Sequence, residues 1–500
     1  MPAQVIVSAA ILAVMVVIII RSVIGYFRKR APPDPLDHVL FTWNGVDAFT
    51  VRRLLEGICI FGRTGSGKSS SSGRLIARAI IGLAGAGGLL LLAKPEDLAF
   101  WVGIFSAAGR KDDLIVFSPD QPWRFNALAY IQQTGGDARA ITKFFTEIKQ
   151  TLRGADTRGG ENADFFEAEQ DRMIYNSVVI LKLGLGRVTA PDIHRFILGA
   201  AKSPEEMKTQ EWQDGFHRAC LKKAMEATKT AMEEDDFNLS AEYWISEIPS
   251  MDSKTRNNIL TGVMGLLHTM NTGLVKELLS GETNVSPDDL LKGKFLALNM
   301  SPVVYGDTGS AVCAAWKLMT QRMVLRRQCD ASSKPVIIFA DEAQMVVTSN
   351  DAAYMAQCRS HMGSMVYLTQ SISSYYAKLG GETGKHQVDA LMANFGTCIV
   401  HACDPVTAKW ASEKVGRRLK TYIGTSTAPC ENLYEEFCCV GKTSTSTSQN
   451  LAEILETRVL MNGLRTGGPP LFVCDGAVLK SGEAFSTGEN YLLVGFSQKG

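Results

Sequence analysis

Short apolar runs bounded by glycine or proline recur along this chain, separated by longer stretches of helical periodicity. Seven runs, at residues 57–61, 88–93, 113–117, 295–300, 336–340, 364–369 and 397–401, read as strands. Their apolar sequence is continuous rather than alternating, the pattern of strands covered on both faces. Helical patterns separate most of them, which predicts an α/β fold with a largely parallel sheet. Between residues 135 and 290 strand signals are few, and helix formers crowd 138–152, 163–183, 203–234 and 255–279, so an all-α insertion is expected inside the α/β domain. The polar run TSTSTSQ at 443–449 reads as an exposed loop, and 471–474 with 491–496 as a closing pair of short strands. The division predicted is 1–30 as a membrane anchor with its basic flank, 31–134 as the first part of the α/β domain, 135–290 as the insertion, and 291–500 as the second part with the C-terminal strands.

Residues 2–20 carry no charge and are dense in aliphatic side chains, about the ~20 residues that a bilayer core requires of a helix. Tyr26 and Phe27 stand where aromatics anchor at headgroups, and Arg21, Arg28, Lys29 and Arg30 all follow the apolar stretch. That asymmetry predicts a single-pass inner-membrane anchor with its N-terminus outside and the bulk of the chain cytoplasmic. A cleaved leader would carry basic residues first and a small-residue cleavage site after, and neither is present. The prolines of Ala31-Pro-Pro-Asp-Pro then make a stiff spacer.

At 46% hydrophobic and 21% charged residues over 500 positions, the composition excludes disorder throughout. The net charge of +1 gives no bulk attraction to nucleic acid, so an anionic partner must be met by local groups. Arg326, Arg327, Arg417, Arg418 and Lys420, the last two near Tyr422, are the evident ones. The eleven cysteines form no CxxC pair; Cys59, Cys313, Cys398 and Cys474 lie within apolar runs as small hydrophobes, consistent with a reducing compartment. Cys430, Cys438 and Cys439 lack the further ligand of a zinc site and read as plain thiols.

Candidate chemistry begins with Gly62-Arg63-Thr64-Gly65-Ser66-Gly67-Lys68-Ser69, continued by Ser70, which follows the run ICIF and opens a helical segment. Glycines let a loop of backbone amides wrap closely round a phosphate; Lys68 would meet the β and γ phosphates, and the Ser69 hydroxyl would coordinate Mg²⁺. The second element is Val336-Ile-Ile-Phe-Ala followed by Asp341 and Glu342. Asp341 at a strand end suits Mg²⁺, and Glu342 is placed to polarise an attacking water, which distinguishes a hydrolase from a mere binder. The long gap between the two elements requires the helical insertion to lie between them. A third element, Met365-Val-Tyr-Leu-Thr-Gln370, ends where a γ-phosphate sensor would sit, and Arg359 shortly before it is a candidate arginine finger for a neighbouring subunit. ATP and Mg²⁺ are the cofactors these elements imply.

These blocks together resemble the conjugative coupling ATPases of type IV secretion systems, the TraG/TraD-like family, related to chromosome-pumping translocases. FGRTGSGKS, GGLLLLAKPED, PWRFNAL, FADEAQ and VYLTQS stand in that family's order, with NADFFEAEQDRM and SKTRNNI resembling the ends of its all-α domain. The resemblance spans roughly residues 54–404. It implies a RecA-like motor domain, a helical domain facing the cytoplasm and a homohexameric ring moving DNA, expected to be single-stranded, at the bacterial inner membrane. It further implies relaxosome proteins and the secretion channel as partners, and assigns Gln370 and Arg359 as sensor and finger. The chain departs from the family in showing one predicted span where two are common, and in having no long acidic C-terminal tail. An acidic run at residues 233–236 is a candidate docking face, or simply a solvated helix end. Two other readings share the motifs: a recruiter of protein effectors that moves no DNA, and a nucleotide-gated scaffold, against which Glu342 argues. A kinase would need a substrate acid and lid near the loop.

Overall fold

The computed structural model describes residues 34–152, 163–427 and 443–499. The expected anchor at 1–30 and Cys430, Cys438 and Cys439 lie outside these residues; among those described, no helix is long and apolar enough to cross a membrane. The chain divides into two compact units, one ending at Arg52 and one beginning at Arg53. The first holds a hairpin that the sequence reading did not foresee, of β1 (Val39–Thr42) and β2 (Ala48–Thr50). Its turn is fixed by Asn44, whose side-chain oxygen accepts from the amides of Val46 and Asp47; beside it Phe41 stacks on Phe49, and Trp43 meets both edge-on.

The second unit is built on a nine-stranded sheet. In chain order its strands are β3 (Ile58–Phe61), β4 (Gly87–Leu91), β5 (Leu114–Phe117), β6 (Phe295–Leu298), β7 (Val336–Ala340), β8 (Gly363–Thr369) and β9 (Thr397–Val400). After a separate ribbon of β10 (Arg417–Thr427) and β11 (Thr443–Glu453), β12 (Val473–Lys480) and β13 (Tyr491–Ser497) complete it. Across the sheet the order is β13-β12-β9-β3-β8-β7-β4-β6-β5. The strands from β9 to β5 run parallel, while β12 and β13 are antiparallel at one edge. Every residue of β3, β4, β6, β7, β8 and β9 is buried, as helices on both faces require. Cys59, Cys313, Cys398 and Cys474 are buried thiols.

Every described element from Ala127 to Lys292 is helical. The helix Ala163–Leu185 packs against Ala138–Leu152, Phe216–Glu226, Ala231–Glu242 and Ser253–Asn271. The acidic run at 233–236 opens Ala231–Glu242. Glu233 closes a capping box with Thr230, Glu234 pairs with Lys229 at 3.5 Å and Asp236 accepts from the Tyr175 hydroxyl, so three of the four acids have partners within the helical region.

One expectation is overturned. The run at 443–449 is strand rather than loop: it begins β11, which pairs with β10 in register from Arg417↔Glu453 to Thr427↔Thr443. Alternate threonines favour extended backbone, and the partner supplies the ladder hydrogen bonds. Both faces of this ribbon are exposed, so no apolar alternation marks it.

Candidate nucleotide site

β3 delivers the glycine loop at the C-terminal edge of the sheet. The Gly62 amide donates to Thr369 and that of Arg63 to Ala402, so the loop is hung from the ends of both flanking strands. A Cβ on Gly62 would stand 2.3 Å from Ser66 Oγ and 3.0 Å from His401 Cβ, so a side chain there would displace the Ser66 hydroxyl and crowd His401. Gly65 and Gly67 turn with φ of 78° and 88°, which glycine adopts at little cost. Ser69–Gly73 then forms a π-helical turn that runs into Arg74–Gly82.

The sheet order places β8 between β3 and β7, and three strand ends therefore converge above the loop. Lys68 Nζ lies 2.8 Å from Glu342 Oε1, and Ser69 Oγ 2.7 Å from Asp341 Oδ2. Gln370 Nε2 is 3.4 Å from both Glu342 oxygens. Glu342 has a left-handed backbone, φ 46°, an uncommon conformation for a residue with a Cβ. The assembled groups border a cavity of about 410 Å³ shared with Arg63, Thr64 and Ser70. Its donor set fits a magnesium nucleotide: an open glycine cradle for phosphate, and a hydroxyl with a carboxylate as hard oxygen ligands.

Three further residues belong to the site that the motif analysis left without a role. Gln344 donates to Glu342 Oε2 at 2.8 Å and accepts from Thr369 Oγ1 at 2.6 Å, bridging β7 to β8. Lys94 and Asp97 line the cavity from the segment after β4. Gln344 stood inside the FADEAQ box, two residues past Glu342, which was its only signal. Burial raises the Glu342 carboxyl, but hydrogen bonds from Gln344 and Lys68, with the Lys68 charge, outweigh it and hold the group below its ordinary value. Asp97 shifts upward, through burial and the nearby Asp341 charge.

Arg359 is not brought to this site. It sits in the turn Cys358–His361 before β8, at the opposite edge of the sheet, with an ion pair to Glu56 at 3.2 Å. Of the basic groups singled out, the Arg327 guanidinium donates to His361 O, Arg418 pairs with Glu489 at 2.9 Å and Lys420 with Glu456 at 3.9 Å.

A buried parallel strand, a glycine loop and a helix, with two acids arriving from the strand after next, define a P-loop α/β fold of the RecA-like class. Residues 335–462 match the family model described as the TraM recognition site of TraD and TraG. Among solved structures, the unbound bacterial conjugative coupling protein TrwBdeltaN70 is similar with a TM-score of 0.57 at 14% identity, over 95% of this chain and 90% of that one. The plasmid coupling protein TrwB with the ATP analogue ADPNP gives 0.55 at 14% identity, over 95% and 93%, and TrwB with ADP and Mg²⁺ 0.53 at 13%, over 95% and 91%. No curated protein matches the sequence. The chain has the fold of the conjugative coupling proteins, and the resemblance to type IV secretion coupling proteins drawn from its motifs holds in both comparisons.

Proposed function

We propose that this protein is a membrane-anchored ATPase that couples hydrolysis to delivery of conjugative DNA, free or protein-linked, into a type IV secretion channel. The observation that carries the reading is the meeting of Glu342 with Lys68 and Gln370, beside the Asp341–Ser69 pair, in one cavity. TrwB, whose fold this chain shares, has been solved with an ATP analogue and with ADP and Mg²⁺.

Bound Mg²⁺ would supply charge neutralisation between the terminal phosphates. Asp341 and the Ser69 hydroxyl hold its place; the amides of residues 62–70 cradle phosphate; Lys68 leaves Glu342 to meet the phosphates. Glu342, freed of that partner and ionised at neutral pH, then orients and deprotonates water while Gln370 reports on the terminal phosphate. Arg359 would act in trans, from a neighbouring subunit of a homohexamer. Residues 1–30 would anchor the chain in the inner membrane with the bulk cytoplasmic, and single-stranded DNA, relaxosome proteins and channel components are the partners. The name of the matched family model, a TraM recognition site, supports the relaxosome part.

The test is steady-state ATP hydrolysis by the full chain, with and without single- and double-stranded DNA at two salt concentrations, beside Lys68→Ala. Turnover that DNA raises several-fold, that salt suppresses and that the variant lacks supports the reading. ATP binding without turnover, or turnover indifferent to DNA, overturns it.

A further inference from the structure

The segment that leaves Glu342 does not end freely at the surface. Thr348, Ser349 and Asn350 each engage one residue of the helix Ala138–Leu152, the first long helix between β5 and β6. Lys143 Nζ donates to Asn350 Oδ1 at 2.6 Å, Ser349 Oγ donates to Gln150 Oε1 at 3.0 Å, and the buried Glu147 carboxyl lies beside the Thr348 side chain, whose hydroxyl donates to Asp351 Oδ1 at 3.5 Å. Residues 143, 147 and 150 are spaced i, i+4 and i+7, a single helix face, so three consecutive residues of the segment meet one stripe of the insertion. Glu147 is only 6% exposed, and Thr348 5%.

The same segment is pinned from below. Asp351, wholly buried, accepts from Lys317 Nζ at 2.8 Å, Gln321 Nε2 at 2.8 Å and the Tyr367 hydroxyl of β8 at 2.9 Å. A second route reaches the same helix: Gln370 is followed by the helix Ile372–Leu379, whose Lys378 Nζ donates to Thr151 O at 3.0 Å. Glu342 and Gln370, the two residues that the ATPase reading assigns to water and the terminal phosphate, thus both continue into segments that end on Ala138–Leu152.

We propose that Lys143, Glu147 and Gln150 are positioning residues for hydrolysis: through Thr348, Ser349 and Asn350 they set the placement of Glu342, so that the helical insertion governs the water-activating acid. This rests on the ATPase reading above. It predicts a specific kinetic split, because among the described residues no hydrogen bond or ion pair joins Lys68, Ser69 or the glycine loop to that stripe.

The test is made on the full chain. Lys143 is exposed and Gln150 half-buried, so Lys143→Ala with Gln150→Ala is expected to fold with an unchanged melting temperature, surface changes costing within about 0.5 kcal/mol. In that variant kcat should fall roughly fivefold or more while KM stays within about twofold, as for loss of an interaction that serves the transition state rather than binding. Glu147→Gln, which keeps a hydrogen-bond acceptor, should retain wild-type kcat where Glu147→Ala does not. Hydrogen exchange supplies a readout free of turnover: protection of residues 138–152 should differ between the ADPNP·Mg²⁺ and ADP·Mg²⁺ states in the wild type, and the difference should vanish in the double variant. Unchanged kcat in the folded double variant, a joint loss of kcat, KM and melting temperature, or wild-type protection blind to nucleotide state would each overturn the proposal. Absence of wild-type turnover would strike the ATPase reading alone, with the exchange comparison still deciding this one.

Discussion

Glu342→Gln should move nucleotide binding and hydrolysis in opposite directions. In the resting site the Lys68–Glu342 pair closes at 2.8 Å with side chains 10% and 12% exposed. At an effective dielectric near 20 its gross attraction is about 6 kcal/mol, but both ions have given up water, and a hydrogen bond to a charged group nets about 1.5–3 kcal/mol. A glutamine offers one acceptor where the carboxylate offers two, so Lys68 and Gln344 can no longer both be satisfied. A hydrogen bond to a neutral amide is worth about 1 kcal/mol, and the restraint on Lys68 therefore weakens by about 0.5–2 kcal/mol. Nucleotide has to break that restraint before the ammonium reaches phosphate, so affinity should tighten about 2–30-fold. Turnover should fall by a factor of about 10²–10⁴, the usual contribution of a general base. Titration of a fluorescent ATP analogue, beside phosphate release under saturating ATP, measures both; Lys68→Ala should lose both together. Weaker binding by Glu342→Gln would refute the resting-state restraint, and turnover preserved in it would refute the role of the acid.

The pH dependence of stability should bear the mark of two buried histidines, His217 and His401, whose pKa burial lowers to about 4. An unfolded histidine titrates near 6.5, so between pH 6.5 and 4 the unfolded chain takes up protons that the folded one refuses, and stability present at neutral pH is lost as pH falls. From pH 7 to 5 each should contribute a loss of about 2 kcal/mol, and His401→Asn should remove its share of the drop in urea denaturation. Lys317→Met, which strands the buried Asp351, should cost about 3–5 kcal/mol, whereas combination with Asp351→Leu should cost at least about 2 kcal/mol less than the sum of the singles.

Much of the sheet was legible because strands covered on both faces must be apolar throughout; Val336–Ala340 announces itself in one dimension. Strand order was not, since it depends on which helices cross which face, and no local pattern encodes that. The site divides the same way. Lys68, Ser69, Asp341 and Glu342 sit in motifs whose spacing reflects phosphate and metal geometry, while Gln344, Lys94 and Asp97 are ordinary polar residues made relevant only by the adjacency of β8, β7 and β4. Arg359 shows the converse: a plausible residue in a plausible place along the chain, carried by the direction of β8 to the far edge of the sheet. The ribbon of β10 and β11 escaped because a structure with both faces in water leaves no hydrophobic signature.

The central position of β3 dictates when this molecule can become competent during synthesis. Its two neighbours, β8 and β9, are made long after it: Cys59 and Cys398 face one another across β3 and β9 from positions 339 residues apart. At a translation rate of about 5–20 residues per second, the strand bearing the phosphate loop waits roughly 20–70 s for its partners. Throughout that interval its apolar residues and open backbone edges are exposed, and for most of it the carboxylates that complete the cavity, Asp341 and Glu342, do not yet exist. Nucleotide therefore has no site on the nascent chain, and the helical insertion, rich in local contacts, has every opportunity to fold first. A chain of this topology leans on chaperone protection while growing, and stalls or truncations ahead of β9 leave an aggregation-prone half-sheet rather than a weaker enzyme.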